Sequence, residues 1–172
     1  FDTSKATSIS GMFQSCNSLV SLDVSKFNTE QVKNMSNLFM HCSSITSLDL
    51  TNFITINTKS MYGMFSFMLK LEEINLSNFD TKNVLDMSSM FQYCNSLKSL
   101  DISNFNTSNI PQMFQMFQYC TSLKSLDLSN FNTEKVIDFG YMFNGCEKLE
   151  YLDLSNFNTL RANRMLCMFK DC

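Results

Sequence analysis

Polar and apolar residues alternate along this chain in one order that returns every 26 residues. Phe1, Phe27, Phe53, Phe79, Phe105, Phe131 and Phe157 mark the register, and no insertion breaks it. Numbering each repeat from that Phe, position 3 is Thr in all seven copies and position 13 is Phe in all seven, from Phe13 through Phe169. Within a repeat, apolar residues stand at positions 6, 9, 12, 13, 16 and 19, as in Val84, Met87, Met90, Phe91, Cys94 and Leu97. Spacings of three and four predict a helix of a turn or two with one apolar face. The rhythm then changes. Leu100 and Ile102 alternate with Ser99, Asp101 and Ser103, the pattern of a short strand with one buried face. The Ser-Asn-Phe-Asn-Thr segment makes the corner, where Asn and Thr suit turns and the cap of the next helix. Pro111, at position 7, fits a helix start, where a missing N–H costs little.

A unit of 26 residues encloses no core of its own, and its strand needs a parallel neighbour, so the units must stack. Successive strands then lie about 4.8 Å apart, and seven coils make a solenoid on the order of 30 Å long. Each inward position becomes a ladder of like residues: Phe at 1 and 13, mostly Met at 9 and 12, Leu or Ile at 19 and 22. Fully burying one such side chain stabilises by roughly 1.5–3 kcal/mol before ordering entropy is counted. The expected fold is therefore α/β: a right-handed solenoid with one short parallel strand and one helical segment per repeat. Residues 1–172 form one array of six full units and a partial seventh, and read as a piece of a longer array.

The stretch Met90 to Thr107, MFQYCNSLKSLDISNFNT, returns almost unchanged from Met116 to Thr133. Its LxxLDLSNFNT form, as in Leu123 to Thr133, resembles the core segment of leucine-rich repeats, with Phe131 in the usual Asn or Cys place. The longer NFNTxxVxxMxxMFxxCxSLxSLDLS resembles the BspA-like leucine-rich repeat class of microbial surface proteins, over the whole chain. The resemblance implies a largely bacterial, exported or surface-anchored protein that adheres to host or neighbouring-cell proteins. The third unit departs most from the pattern.

Composition agrees with an ordered chain: 44% hydrophobic, 17% charged, a formal charge of −3, one Pro and four Gly. That charge excludes nucleic-acid binding through a basic face. No run approaches 18 apolar residues, so neither a membrane span nor a signal peptide is expected in the segment.

Cysteine stands at position 16 in six of seven copies: Cys16, Cys42, Cys94, Cys120, Cys146 and Cys172, with Met68 in the third. A zinc site needs paired ligands a few residues apart, and these lie 26 apart. Stacked Cβ atoms nearly 5 Å apart exceed the roughly 3.5–4.5 Å that a disulfide prefers. They read as a core ladder of free thiols, with some disulfide as the alternative. No metal and no cofactor are expected.

A single histidine, His41, has no nucleophile, phosphate loop or metal cluster to work with, so the chain is not expected to be an enzyme. Three features could serve binding instead. Position 23 is Asp23, Asp49, Asp101, Asp127 and Asp153, with Asn75 in the third unit, on the outward side of the strand beside Lys98 and Lys124. This ladder is either a set of solvated, turn-bonding carboxylates or part of a concave ligand face. Position 15 carries rings in four consecutive units, His41, Phe67, Tyr93 and Tyr119, which either stack as structure or offer contact area to a partner. In the third unit Ile54, Ile56 and Leu69 replace or join polar neighbours, as a repacked interior or an exposed contact patch. The function expected is a non-enzymatic protein-binding module of the adhesion type. The alternatives are a structural spacer whose repeats set length or associate end to end, and an intracellular scaffold.

Overall fold

The computed structural model describes residues 2–172. The chain winds through seven stacked coils, residues 2–26, 27–52, 53–78, 79–104, 105–130, 131–156 and 157–172. Each coil repeats the path of the one before. Four two-residue strands mark the sheet side: β1 (Ser47–Leu48), β2 (Glu73–Ile74), β3 (Ser125–Leu126) and β4 (Tyr151–Leu152). β1 pairs with β2 and β3 with β4, both in parallel, with Ser47 opposite Glu73 and Leu126 opposite Leu152. Partners are one repeat apart, as stacking requires.

The expected helix is not there: among the described residues no helix forms. Positions 11 and 15 are left-handed in every coil, for example Ser89 at φ 58° and Tyr93 at φ 59° in the fourth. An α-helix cannot pass through such residues. The N–H groups divide instead between two destinations. Those of Met90, Gln92 and Cys94 donate three residues back, to the carbonyls of Met87, Ser89 and Phe91 at 3.2, 3.1 and 3.1 Å. Those of Ser89, Phe91 and Tyr93 donate across to the next coil, to the carbonyls of Phe114, Met116 and Gln118 at 2.8, 3.0 and 2.7 Å. The segment is a run of four-residue turns, and in Met87–Met90 and Phe91–Cys94 the third residue is left-handed, the type II signature. A turn of four residues places apolar side chains nearly as a 3.6-residue helix does, so the spacing at 9, 12, 13 and 16 fits both.

The corner residues also work differently from helix caps. The position-3 threonines from Thr3 to Thr133 are buried, and their hydroxyls join two coils: Thr107 Oγ1 donates to Asn132 O at 2.9 Å and accepts from Asn132 N–H at 2.8 Å. Thr3, Thr29, Thr81 and Thr133 make the same pair of bonds. Asn at position 26 reaches back: Asn130 Nδ2 donates to the carbonyls of Ile102 and Phe105 at 3.0 and 2.8 Å, as Asn104 does to Leu76 and Phe79. Side chains thus supply lateral rungs where the corner leaves backbone groups without partners.

The core lies between the sheet side and the turn side. Phe13, Phe39, Phe65, Phe91, Phe117, Phe143 and Phe169 stack in one column with neighbouring centroids 5.6–5.9 Å apart. Methionines at positions 9 and 12, such as Met87, Met90, Met113 and Met116, are wholly buried beside them. Their unbranched thioethers fill the irregular space between rings.

Candidate functional site

On the sheet side, positions 20, 21 and 23 point outward between buried leucines, so equivalent side chains form rows across the coils. Ser47, Asp49, Thr51, Glu73, Asn75, Ser99 and Asp101 line a shallow hollow of about 590 Å³ over the second to fourth coils. A smaller hollow of about 370 Å³, with Ser125, Asp127, Tyr151 and Asp153 on its walls, lies over the fifth and sixth. The position-23 ladder is exposed, and each member is tied into its own turn. Asp49 accepts from Thr51 Oγ1 at 2.7 Å and Thr51 N–H at 3.0 Å; Asp101 does the same with Ser103. Asp127 and Asp153 accept from the N–H groups of Ser129 and Ser155. The Thr51 hydroxyl and then its amide hold Asp49 below the usual carboxylate range, and the Ser103 amide does so for Asp101. One oxygen of each carboxylate faces the turn and the other is left for solvent or a ligand.

Lys98 and Glu72 meet across adjacent coils at 2.5 Å, and that bond pushes the lysine up from its ordinary value. Lys124 is exposed in the same row, one coil on. Glu73, Ser47 and Tyr151, all at position 21, belong to this face as well. The alternation about buried Leu48 and Leu126 is the sequence signal that places them there.

The ring column forms. His41, Phe67, Tyr93 and Tyr119 stack with centroids 4.2, 4.4 and 4.6 Å apart and planes within 22° of parallel. All four are half-buried. Phe67 and Tyr93 spend both faces on neighbouring rings, so edges and the tyrosine hydroxyls are what the middle of the column presents outward. Burial, and secondarily the Tyr119 phenol, raises the Tyr93 hydroxyl above its ordinary value. The column ends on Gly145, where a Cβ would overlap the Tyr119 ring. Beside it runs an amide ladder that the repeat pattern did not suggest: Gln92 Nε2 donates to Gln118 Oε1 at 2.6 Å, and Gln118 Nε2 to Asn144 Oδ1 at 2.8 Å.

In the third coil Ile54 and Leu69 are 46% and 41% exposed, whereas Ile56 is half-buried and Phe67 is committed to the ring column. The two isoleucines flank Thr55 at the Phe corner, and Leu69 lies just past Met68 on the turn side.

Every cysteine is a free thiol. Cys94, Cys120 and Cys146 donate their S–H groups to the carbonyls of Phe65, Phe91 and Phe117, each at 3.2 Å. Burial pushes the Cys94 and Cys146 thiols up to about 12, and Cys42 to about 11. Such thiols are inert. Among the described residues no three of His, Cys, Asp or Glu converge closely enough to hold a metal ion. No helix there is long and apolar enough to cross a membrane.

The family described as "Mycoplasma protein of unknown function, DUF285" matches residues 1–99 and again 60–172. The chain belongs to that family. No curated protein and no solved structure matches it.

Proposed function

We propose that this member of a family without an assigned activity is a non-enzymatic, protein-binding module that presents its sheet-side face to a partner. One observation carries the reading: the outward rows of the strand vary while the inward rows beside them, positions 19 and 22, keep Leu or Ile in every full repeat. Position 20 runs Val20, Thr46, Glu72, Lys98, Lys124, Glu150, and position 21 runs Ser21, Ser47, Glu73, Ser99, Ser125, Tyr151. The constant positions all have structural work: Phe13 and its equivalents stack, Thr107 and its equivalents bridge coils, and the Asp ladder bonds its own turns. A stack needs nothing particular at positions 20 and 21, so their variety is free to encode recognition. The repeats resemble the BspA-like leucine-rich class, and the reading extends that likeness to a right-handed solenoid on a microbial surface, with a host or neighbouring-cell protein as ligand.

The test is a binding titration of the purified protein against a panel of matrix and cell-surface proteins. Glu73→Lys with Asp101→Lys alters the large hollow, and Phe67→Ser with Tyr93→Ser and Tyr119→Ser alters the ring column. Saturable binding weakened at least about tenfold by the first set supports the sheet-side face. Loss only with the second set moves the contact to the rings. Binding to nothing on the panel turns the reading to the spacer, which the unbroken column of seven Phe rings favours.

A further inference from the structure

On the turn side, the lateral bonding at positions 7 and 9 is uniform along the solenoid except at one place. In the turn-side ladder each position-7 N–H donates to the position-7 carbonyl of the preceding coil: Lys33 to Thr7, Lys59 to Lys33, Leu85 to Lys59, Ile137 to Pro111 and Asn163 to Ile137, at 2.8–3.0 Å. The fifth coil has Pro111 there and no N–H to give. The next rung fails with it. Met35, Met61 and Met113 donate to Ser60, Asp86 and Asp138 at 2.9–3.0 Å, whereas Met87 has no hydrogen bond to Gln112 among the described residues. Parallel bridges link Ser8, Asn34, Ser60 and Asp86 in one series, and Gln112, Asp138 and Arg164 in another. The two series do not join.

The sheet side is open at this boundary too. Glu72 donates to Thr46 at 3.0 Å, Lys98 to Glu72 at 3.3 Å and Glu150 to Lys124 at 2.9 Å, but Lys124 makes no such bond to Lys98, and at the first junction Thr46 makes none to Val20. The two strand pairs fall on opposite sides of this boundary, β1 with β2 before it and β3 with β4 after it. So do the two hollows, one ending at Asp101 and the other beginning at Ser125.

From this coincidence we infer that the solenoid is two laddered blocks joined at a seam between residues 79–104 and 105–130, and that Pro111 sets the seam. A proline ring puts a carbon where the other coils put an N–H, and that carbon cannot approach the Leu85 carbonyl as a nitrogen does. The ladder opens there, and Met87 loses its partner in consequence. What still ties the blocks lies elsewhere: the Phe91–Phe117 and Tyr93–Tyr119 stacks, the Thr81 bond to Asn106, the Gln92 bond to Gln118, the Cys120 bond to Phe91, the Asn130 bond to Ile102, and the N–H bonds of Ser89, Phe91 and Tyr93 among them. The core and the later turns act as a hinge, and the rungs that would stiffen it are missing. Flexing here changes the angle between the two hollows while leaving each intact. The inference concerns the backbone and holds whether or not the sheet-side face binds a protein.

Amide hydrogen exchange on the whole chain tests it. The Met87 N–H should exchange at least about tenfold faster than those of Met61 and Met113, which are equally buried. In Pro111→Lys, carrying the residue that occupies this place at Lys33 and Lys59, the Met87 amide should slow to match them. In the converse variant, Lys59→Pro, protection should be lost at Met35, whose acceptor is Ser60. Equal protection of the three methionine amides in the unaltered chain overturns the seam. A fast Met87 amide that Pro111→Lys leaves fast overturns the role of the proline.

Discussion

The position-3 threonine offers the sharpest quantitative test of how coils are joined. Replacing Thr107 with Val keeps the shape and removes the hydroxyl that donates to Asn132 O and accepts from Asn132 N–H. Thr107 is 1% exposed, so its own side of the junction is dry. Two hydrogen bonds, each contributing about 1 kcal/mol net, are lost, and a backbone donor and acceptor are left without partners. Asn132 is exposed, so water reaches part of its peptide group and the loss falls toward the lower end of the range. The valine methyl recovers at most about 0.8 kcal/mol. The expected net destabilisation is about 1–2.5 kcal/mol, read from the urea midpoint by circular dichroism at unchanged slope. Thr46→Val on the exposed sheet side is the control and should move stability by less than about 0.5 kcal/mol. If Thr107→Val shifts the midpoint no more than Thr46→Val does, the hydroxyl bridge is not what holds the corners together.

The buried thiols make stability depend on alkaline pH. Cys94 and Cys146 ionise near 12 in the fold, and a thiol in the unfolded chain ionises near 8.5, so their contribution is complete below about 8.5 and declines as pH rises toward 12. Urea midpoints at pH 7.5 and pH 10 should differ by more in the unaltered protein than in Cys94→Ala with Cys146→Ala; an identical pH dependence refutes the assignment. Thiol reagents at pH 8 should label the exposed Cys172 at once and leave Cys94, Cys120 and Cys146 unlabelled until urea is added. Gly145→Ala places a methyl on a residue at φ 73° and against the Tyr119 ring, so about 2–4 kcal/mol of stability and the near-ultraviolet tyrosine signal should both fall. Retained signal at native stability would mean that the ring does not rest on that glycine.

Stacking, register and the inward ladders were legible because a 26-residue period leaves only one way to pair like with like, and Ser47 does stand opposite Glu73. The outward Asp row and the ring column were legible for the same reason: they follow from register alone. The turn-side conformation was not. Apolar spacing reports which residues face inward, and a succession of four-residue turns gives nearly the same spacing as a helix. A signal did exist in the glycines: Gly11 and Gly63 share position 11, and Gly145 stands at position 15, both left-handed throughout. Mixed with Ser, Asn, Gln and Tyr at the same positions, that signal was diluted. The meaning of Pro111 was lost with the helix, because a proline harmless at a helix start removes a rung from a lateral ladder. The roles of Thr and Asn were hidden similarly, since their bonds lead to other coils rather than along the chain.

The left-handed backbone at position 15 has a bearing on the four rings that occupy it. Glycine adopts that conformation without steric penalty, as Gly145 does, whereas His41, Phe67, Tyr93 and Tyr119 each bear a cost of about 1–2 kcal/mol there. Stacking between neighbours returns about 0.5–1.5 kcal/mol per pair, and there are three pairs for four rings. Summed over the column, stacking returns roughly half of the backbone cost, and half-burial of the ring bodies offsets much of the rest. Thermodynamic stability therefore exerts little preference between ring and glycine at this column, and a lineage can exchange them at small cost to the fold. The identities found there are open to neutral drift, or to being set by whatever touches the exposed ring edges.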